Sequence, residues 1–337
     1  MSVMRYDQAV DHGLGQAMAA DERIVTWGKD VKLMRRDLLA RFGPDRVRDT
    51  PISEAAFMYA GLGAAMAGLK PVVELYMIDF AAVGWAAIVN GASKFHDFSG
   101  GRWDTPLIIR AGVGGWYTDG GQHEQTHWGT LAAYPSTTVI CASTPADAAG
   151  LMLSALDSNS FVVFLTPKLL DGQMLDYLGG DSRKTVDFSH LVPADGARGE
   201  VPDTVAPVPI GIAALRREGS DVALVSIGVG VHRCLEAADI LAGQGIEASV
   251  LDLRSVAPLD RDAVLEQAAA AGRVVVVDED YIRAGLTGEI AALLLESGTA
   301  AKFARVAVET TIPFAPHLEY AALPNVERIV AAVAGLE

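Results

Sequence analysis

Short continuous apolar runs alternate along the chain with stretches in which apolar side chains recur every three or four residues. The runs are Val72–Met77, Pro106–Ala111, Thr137–Ser143 and Phe161–Thr166, then Asp221–Gly228, Glu247–Arg254, Arg273–Asp278 and Lys302–Val308. Apolar on consecutive positions, they suit strands covered on both faces of a parallel sheet. Arg23–Trp27 and Val47–Thr50 add two short strands. Helical spacing marks 5–20, Leu38–Phe42, Glu54–Gly68, Ala81–Phe98, 232–243, 260–271, 285–297 and 325–335. Such alternation predicts α/β units with mainly parallel sheets. It breaks between 170 and 207, where Gly172, Gly179, Gly180, Pro193, Gly196, Gly199, Pro202 and Pro207 read as a linker or an elaborate loop. Two domains, 1–195 and 205–337, are expected, in keeping with a length of 337 residues.

Composition narrows the function. The 27 basic and 42 acidic residues give a net charge of −15. No nucleic acid partner is expected, since that needs a basic stripe, and no anionic membrane surface. The apolar stretch Tyr59–Leu69 is well short of the ~20 residues a membrane span requires. The first residues carry Asp7 and Asp11 and no apolar core, so no signal peptide is expected. Two cysteines, Cys141 and Cys234, form neither a disulfide framework nor a metal cluster and read as buried thiols, which fits a reducing, cytoplasmic location. The apolar excess lies in Ala, Gly and Val; such small side chains allow close helix packing and suggest apolar surface buried against partner subunits.

Three features carry candidate chemistry. His123-Glu124-Gln125-Thr126-His127 matches the H-E-x-x-H zinc pattern. On a helix its two imidazoles would share a face and Glu124 would act as base, making a zinc hydrolase. Against this, Gly-rich sequence precedes it, and Thr130 and Ala133 stand where a longer zinc motif has Gly and His. Gly112-Val113-Gly114-Gly115 and Gly228-Val229-Gly230 follow strands, but Tyr117 and Arg233 prevent a complete G-x-G-x-x-G, so they read as turns. Glu54 opens a helix dominated by Ala, Gly and Met. It is either an ordinary glutamate favoured by the helix dipole with Ser53 as cap, or a carboxyl set in an apolar shell able to bond a ring nitrogen.

Longer motifs point further. Thr50-Pro51-Ile52-Ser53-Glu54, Gly61-x-Gly63-x-Ala65-Met66-x-Gly68-Leu69, Pro71-Val72-Val73-Glu74-Leu75 and Asp79-Phe80 come first. Gln122-His123-Glu124-Gln125, Ser143-Thr144-Pro145, Asp252-Leu253-Arg254 and Pro313-Phe314-Ala315-Pro316 follow. Together they resemble the β subunit of the thiamine diphosphate-dependent 2-oxo acid dehydrogenases, the decarboxylating component of the pyruvate, branched-chain and acetoin complexes. The resemblance runs through nearly the whole chain, and Glu74 to Phe80 leans toward the acetoin branch. It implies a thiamine diphosphate-binding pyrimidine fold followed by a transketolase C-terminal-like domain. It implies that Glu54 bonds N1′ of the aminopyrimidine and that Phe80 stacks on that ring. Ile52 and Tyr76 would complete the pocket, and His123 would stand near the substrate and the acyl intermediate. A 2-oxo acid would be decarboxylated, or acetoin cleaved, and the acyl group passed to a lipoyl acceptor.

The departures suggest an atypical member. Lys29 follows Gly28 where an acid is usual, and Glu124, His127 and Trp128 replace smaller residues. Ser158 stands where relatives that bind potassium have Asp, so no such ion is expected. The Gly-Asp-Gly motif that holds the diphosphate and Mg²⁺ in thiamine enzymes is missing; Gly180-Asp181-Ser182 is the nearest approach. The resemblance therefore implies a cofactor shared with a separate α subunit that carries that motif and holds Mg²⁺, in an α₂β₂ assembly, with a lipoyl acyltransferase core as a further expected partner. A thiamine-dependent acyl or ketol transferase of a biosynthetic pathway is the alternative within the class.

Overall fold

A computed structural model describes residues 1–178 and 189–336. Its strands are β1 (Ser2–Arg5), β2 (Ile24–Gly28), β3 (Val47–Asp49), β4 (Lys70–Met77), β5 (Ile108–Val113), β6 (Thr138–Cys141), β7 (Val162–Pro167), β8 (Arg198–Val201), β9 (Ala214–Arg217), β10 (Val222–Ser226), β11 (Ala248–Asp252), β12 (Ser255–Ala257), β13 (Arg273–Tyr281) and β14 (Lys302–Val308). Seven form a sheet in the order β12-β6-β7-β5-β4-β2-β3, parallel except for β12. Five form a second sheet, β14-β13-β10-β11-β9, parallel except for β9.

The apolar runs are covered on both sides, as their composition requires. On one face of the first sheet Ile24, Val72, Ile108 and Val162 pack on Tyr6, Val10, Leu14, Leu151 and Met152 of the helices Tyr6–Ala20 and Pro145–Asp157. On the other, Val73, Ile109 and Val163 pack on Phe57, Met58 and Leu62 of the helix Glu54–Met66. Neighbouring residues thus serve opposite faces, the period of a strand. The second core continues without a break into Val225, Leu251 and Val276 of the second sheet. Both cysteines are fully buried. Among the described residues no helix is long and apolar enough to cross a membrane.

Three expectations need correction. Ala81–Phe98 is not one helix: a 3₁₀ segment, Ile78–Gly84, gives way to a π turn, Ala87–Ala92, and a last turn, Phe95–Phe98. The cause is close contact with the Glu54–Met66 helix. A Cβ on Gly84 would lie 2.7 Å from the Met58 sulfur, and one on Gly91 would lie 2.5 Å from Leu62 Cδ2. The stretch 170–207 is more than a linker, since it contains the helix Gly172–Leu178 and β8, which pairs antiparallel with β1; Gly179 and Gly180 lie outside the described residues. Finally, β12 leaves the second half and joins the first sheet, pairing Ser255 with Ile140. Three residues are too few to show a strand period in the sequence.

Candidate active site

Parallel strands deliver the loops after their C-terminal ends to one edge, where open α/β sheets bind ligands. β3 leads to Glu54, β4 to Phe80 and β5 to the loop carrying His123. Phe80 and His123 meet edge to face, with ring centroids 5.8 Å apart. Glu54 starts its helix beside the Phe80-bearing turn: a Cβ on Gly84 would fall 3.2 Å from the Ala55 Cα. The Glu54 carboxylate is half-buried and has no hydrogen-bond or ion-pair partner among the described residues. Ser53 is the N-cap residue, yet its side chain makes no capping bond, which corrects the capping expectation. A cavity of about 650 Å³ lined by Trp27, Asp49, Thr50, Pro51, Ser53 and Phe57 opens at the start of this helix.

The other two expected residues are placed differently. Ile52 is 70% exposed. Tyr76, half-buried with φ +67°, lines a different cavity of about 670 Å³ with Asp11, Asp30 and Gln173; Glu54, Phe80 and His123 do not line it. Lys29 pairs with Asp30 in the same region.

Sequence reasoning missed what holds the two strand ends in place. Glu74 on β4 is buried between the Arg35 and Arg110 side chains, at 3.0 Å and 3.4 Å, and Asp11 bonds Arg110 at 2.8 Å. Burial opposes ionisation of Glu74, but the two guanidiniums outweigh it and hold the carboxyl below its ordinary range. Burial pushes the Asp11 carboxyl up, only partly offset by the same two arginines. A charged residue inside each of two apolar runs, Glu74 and Arg110, was the available signal.

The zinc pattern has no helix beneath it. His123 lies in a turn, and His127 adopts φ +54° just before the helix Trp128–Ala132, so the two imidazoles do not stack one turn apart. Glu124 is wholly buried and accepts from the amides of Tyr117 at 3.0 Å and Asp119 at 2.9 Å. No group of three or more His, Cys, Asp or Glu among the described residues could hold a metal ion.

Residues 2–172 match the transketolase pyrimidine binding domain and residues 211–329 the transketolase C-terminal domain. The β subunit of acetoin:2,6-dichlorophenolindophenol oxidoreductase from Cupriavidus necator is 35% identical over 96% of this chain and 94% of its own length. The β subunit of 2-oxoisovalerate dehydrogenase from Bacillus subtilis is 32% identical over 99% of this chain and 98% of its own. The chain belongs to the β-subunit family of the 2-oxo acid and acetoin dehydrogenases. A β₄ tetramer of a split-gene transketolase, 20% identical, superposes with a TM-score of 0.77 over 99% of this chain and 98% of that one, and shows the same fold. As a family β subunit, the chain is part of a thiamine diphosphate-dependent enzyme whose members work with further subunits. Neither a zinc hydrolase nor a biosynthetic acyl or ketol transferase gains support from these relatives.

In this β-subunit frame the Glu74 cluster should be a stability hot spot. Glu74→Ala leaves two buried guanidiniums with Asp11 and, for Arg35, the Gln173 carboxamide, and removing one partner of a buried ion group costs about 3–5 kcal/mol. Urea unfolding measures it. Because the folded-state pKa of Glu74 is depressed, its stabilisation is present above the ordinary carboxyl pKa and lost as pH falls below it. A loss under about 1 kcal/mol would show that the cluster is not held as described.

Proposed function

We propose that this chain is the pyrimidine-binding half of a 2-oxo acid or acetoin dehydrogenase active site. A separate α subunit would complete that site with the diphosphate motif and Mg²⁺. The observation that carries the reading is the contact of Phe80 with His123 beside the unpartnered Glu54 carboxylate, at one edge of the sheet. That set fits an aminopyrimidine: an aromatic ring to stack on it, a carboxyl to meet a ring nitrogen and an imidazole within reach. The sequence has no Gly-Asp-Gly to hold a diphosphate. When bound, thiamine diphosphate supplies the electron sink for decarboxylation.

The chain's own residues then divide the work. Glu54 holds a proton at N1′ and so favours the ring tautomer that can accept one at the exocyclic nitrogen. Phe80 orients the ring and excludes water. Ile52, exposed here, and Tyr76 close the pocket once the partner covers this edge. His123 faces the substrate and the acyl group, which passes to a lipoyl acceptor on an acyltransferase core. Two free, buried thiols favour a reducing compartment, the cytoplasm.

The partner surface is also part of the proposal. Ala56, Tyr59, Ala60 and Gly63 are exposed along one face of the Glu54–Met66 helix, and Ile52 and Val83 beside it are 70% and 66% exposed. Gly63 faces open space, whereas Gly61 turns inward to Val73. This stripe fits a second β chain in an α₂β₂ tetramer.

Two measurements test the proposal. In the complex with its α partner, Glu54→Gln should slow hydrogen–deuterium exchange at C2 of the bound cofactor by roughly 10²–10⁴-fold, the usual worth of a positioned acid–base group. His123→Ala should leave that exchange intact and lower turnover. Normal exchange in Glu54→Gln would show that the wrong carboxylate is assigned. Gly63→Leu should leave the chain's own melting unchanged and weaken assembly by about 1–3 kcal/mol through overpacking, read as smaller particles in light scattering. An unchanged tetramer would remove the helix from the interface.

A further inference from the structure

The loop between β5 and the Trp128–Ala132 helix is bound in an unusual way. Four successive amides are taken alternately by two buried carboxyls. Trp116 N–H donates to Glu319 Oε1 at 2.5 Å, Tyr117 N–H to Glu124 Oε1 at 3.0 Å, Thr118 N–H to Glu319 Oε2 at 3.0 Å and Asp119 N–H to Glu124 Oε1 at 2.9 Å. Trp116 and Thr118 adopt left-handed backbone, φ +81° and +59°. Left-handed residues in alternation turn successive N–H groups toward a common centre, which makes a concave anion site. Here the anion is built in. Glu124 belongs to the loop itself, next to His123, while Glu319 comes from the helix Pro316–Ala322 of the second half. The relative exposures are 0% and 3%.

Other contacts converge on the same loop. The Trp116 indole N–H donates to Glu279 on β13 at 2.6 Å, and the Gly121 amide to the Ile312 carbonyl at 2.8 Å. The buried Lys168 ammonium donates to the His123 carbonyl at 2.5 Å and stands over the Tyr117 ring at 5.1 Å. The two carboxyls thus close on one run of four amides with Lys168 beside them, and two buried anions so placed repel unless one of them holds a proton. Glu124 Oε2 is buried and receives no N–H or O–H among the described residues, so it is the atom placed to carry that proton.

We propose that Glu124 and Glu319 share a single proton, and that this acid–carboxylate pair is the positioning device that locks the His123 loop to the second half of the chain. Burial and then the Glu319 charge raise the Glu124 carboxyl to about 8, against a smaller opposing pull from Lys168. The charged groups facing the pair are Lys168 after β7, which burial holds below its ordinary range, Asp119 in the loop and Glu279 on β13; Asp79 after β4 acts on Lys168, and Arg233 on Glu279. The folded-state pKa of Glu124 lies above its unfolded value. Its stabilisation is therefore complete below the ordinary carboxyl pKa and lost as pH rises through about 8. Above that point the two buried carboxylates repel each other, and the loop loses its grip.

The deciding variant is Glu124→Gln. Its carbonyl can still accept from Tyr117 and Asp119, and its amide can donate to Glu319 at any pH. The test uses the full chain without cofactor, from about pH 6 to about 9.5. It follows the melting temperature and the His123 imidazole proton signal, assigned by comparison with His123→Asn. In the wild type, melting should fall toward pH 8 and the His123 signal should broaden or split above it. In Glu124→Gln the melting curve should be flatter and the signal should stay single throughout. Glu124→Ala should split the signal at every pH; if that variant does not fold, Glu319→Gln takes its place with the same expectation, because its one carboxamide oxygen cannot accept both the Trp116 and Thr118 amides. In the assembled enzyme the alkaline limb of kcat/KM should move to higher pH in Glu124→Gln, with KM unchanged. The same alkaline transition in Glu124→Gln as in wild type would overturn the proposal, and so would a His123 signal indifferent to Glu124→Ala. The pair enters turnover only through the role proposed for His123. The cofactor-free readouts do not depend on that role, so either reading can fail alone.

Discussion

Glu74 between Arg35 and Arg110 is the interaction on which the site's geometry rests. A carboxylate taken out of water is tolerated only when opposite charges and hydrogen bonds replace the lost hydration. Here two guanidiniums do so, one from the neighbouring strand and one from a turn above the sheet. β4 and β5 are thereby tied side by side just below the edge from which Phe80 and the His123 loop emerge. Phe80 and the His123 loop both depart from the strand ends so aligned, and their rings meet edge to face.

The second half of the chain completes the frame without contributing to the expected cofactor residues. It lends β12 to the first sheet, shares its apolar core and reaches the His123 loop through Glu279, Ile312 and Glu319. The loop is thus fixed on the C-terminal side. On the other side Glu54, Ile52 and the outer face of the Glu54–Met66 helix face outward. This asymmetry fits a subunit whose site is finished by another chain.

Much of the fold was legible because buried parallel strands write themselves as continuous apolar runs, and β4, β5, β6, β7 and the four strands β10, β11, β13 and β14 all overlap such runs. The helix 81–98 was misread because its composition is helical throughout; only the close approach of Gly84 and Gly91 to a neighbouring helix breaks it, and that is a tertiary fact. β1, β8 and β12 were missed because strands of three or four residues carry no period. At the site, the Phe80 and His123 rings are in contact, Ile52 is exposed and Tyr76 lines a separate cavity. Glu124 was weighed as a metal-site base because its nearest sequence neighbours are histidines. Its true partners are amides five and seven residues back and a glutamate near the other end of the chain.

The proposed division of the cofactor site between two chains is tested by a calorimetric titration with thiamine diphosphate and Mg²⁺ of the chain alone, of its α partner alone and of the two together. With the site so divided, binding should be saturable and Mg²⁺-dependent for the mixture, with none of comparable affinity for the chain alone, because the metal-bridged diphosphate contacts would come from the partner. Tight, Mg²⁺-dependent binding by the isolated chain would contradict that division.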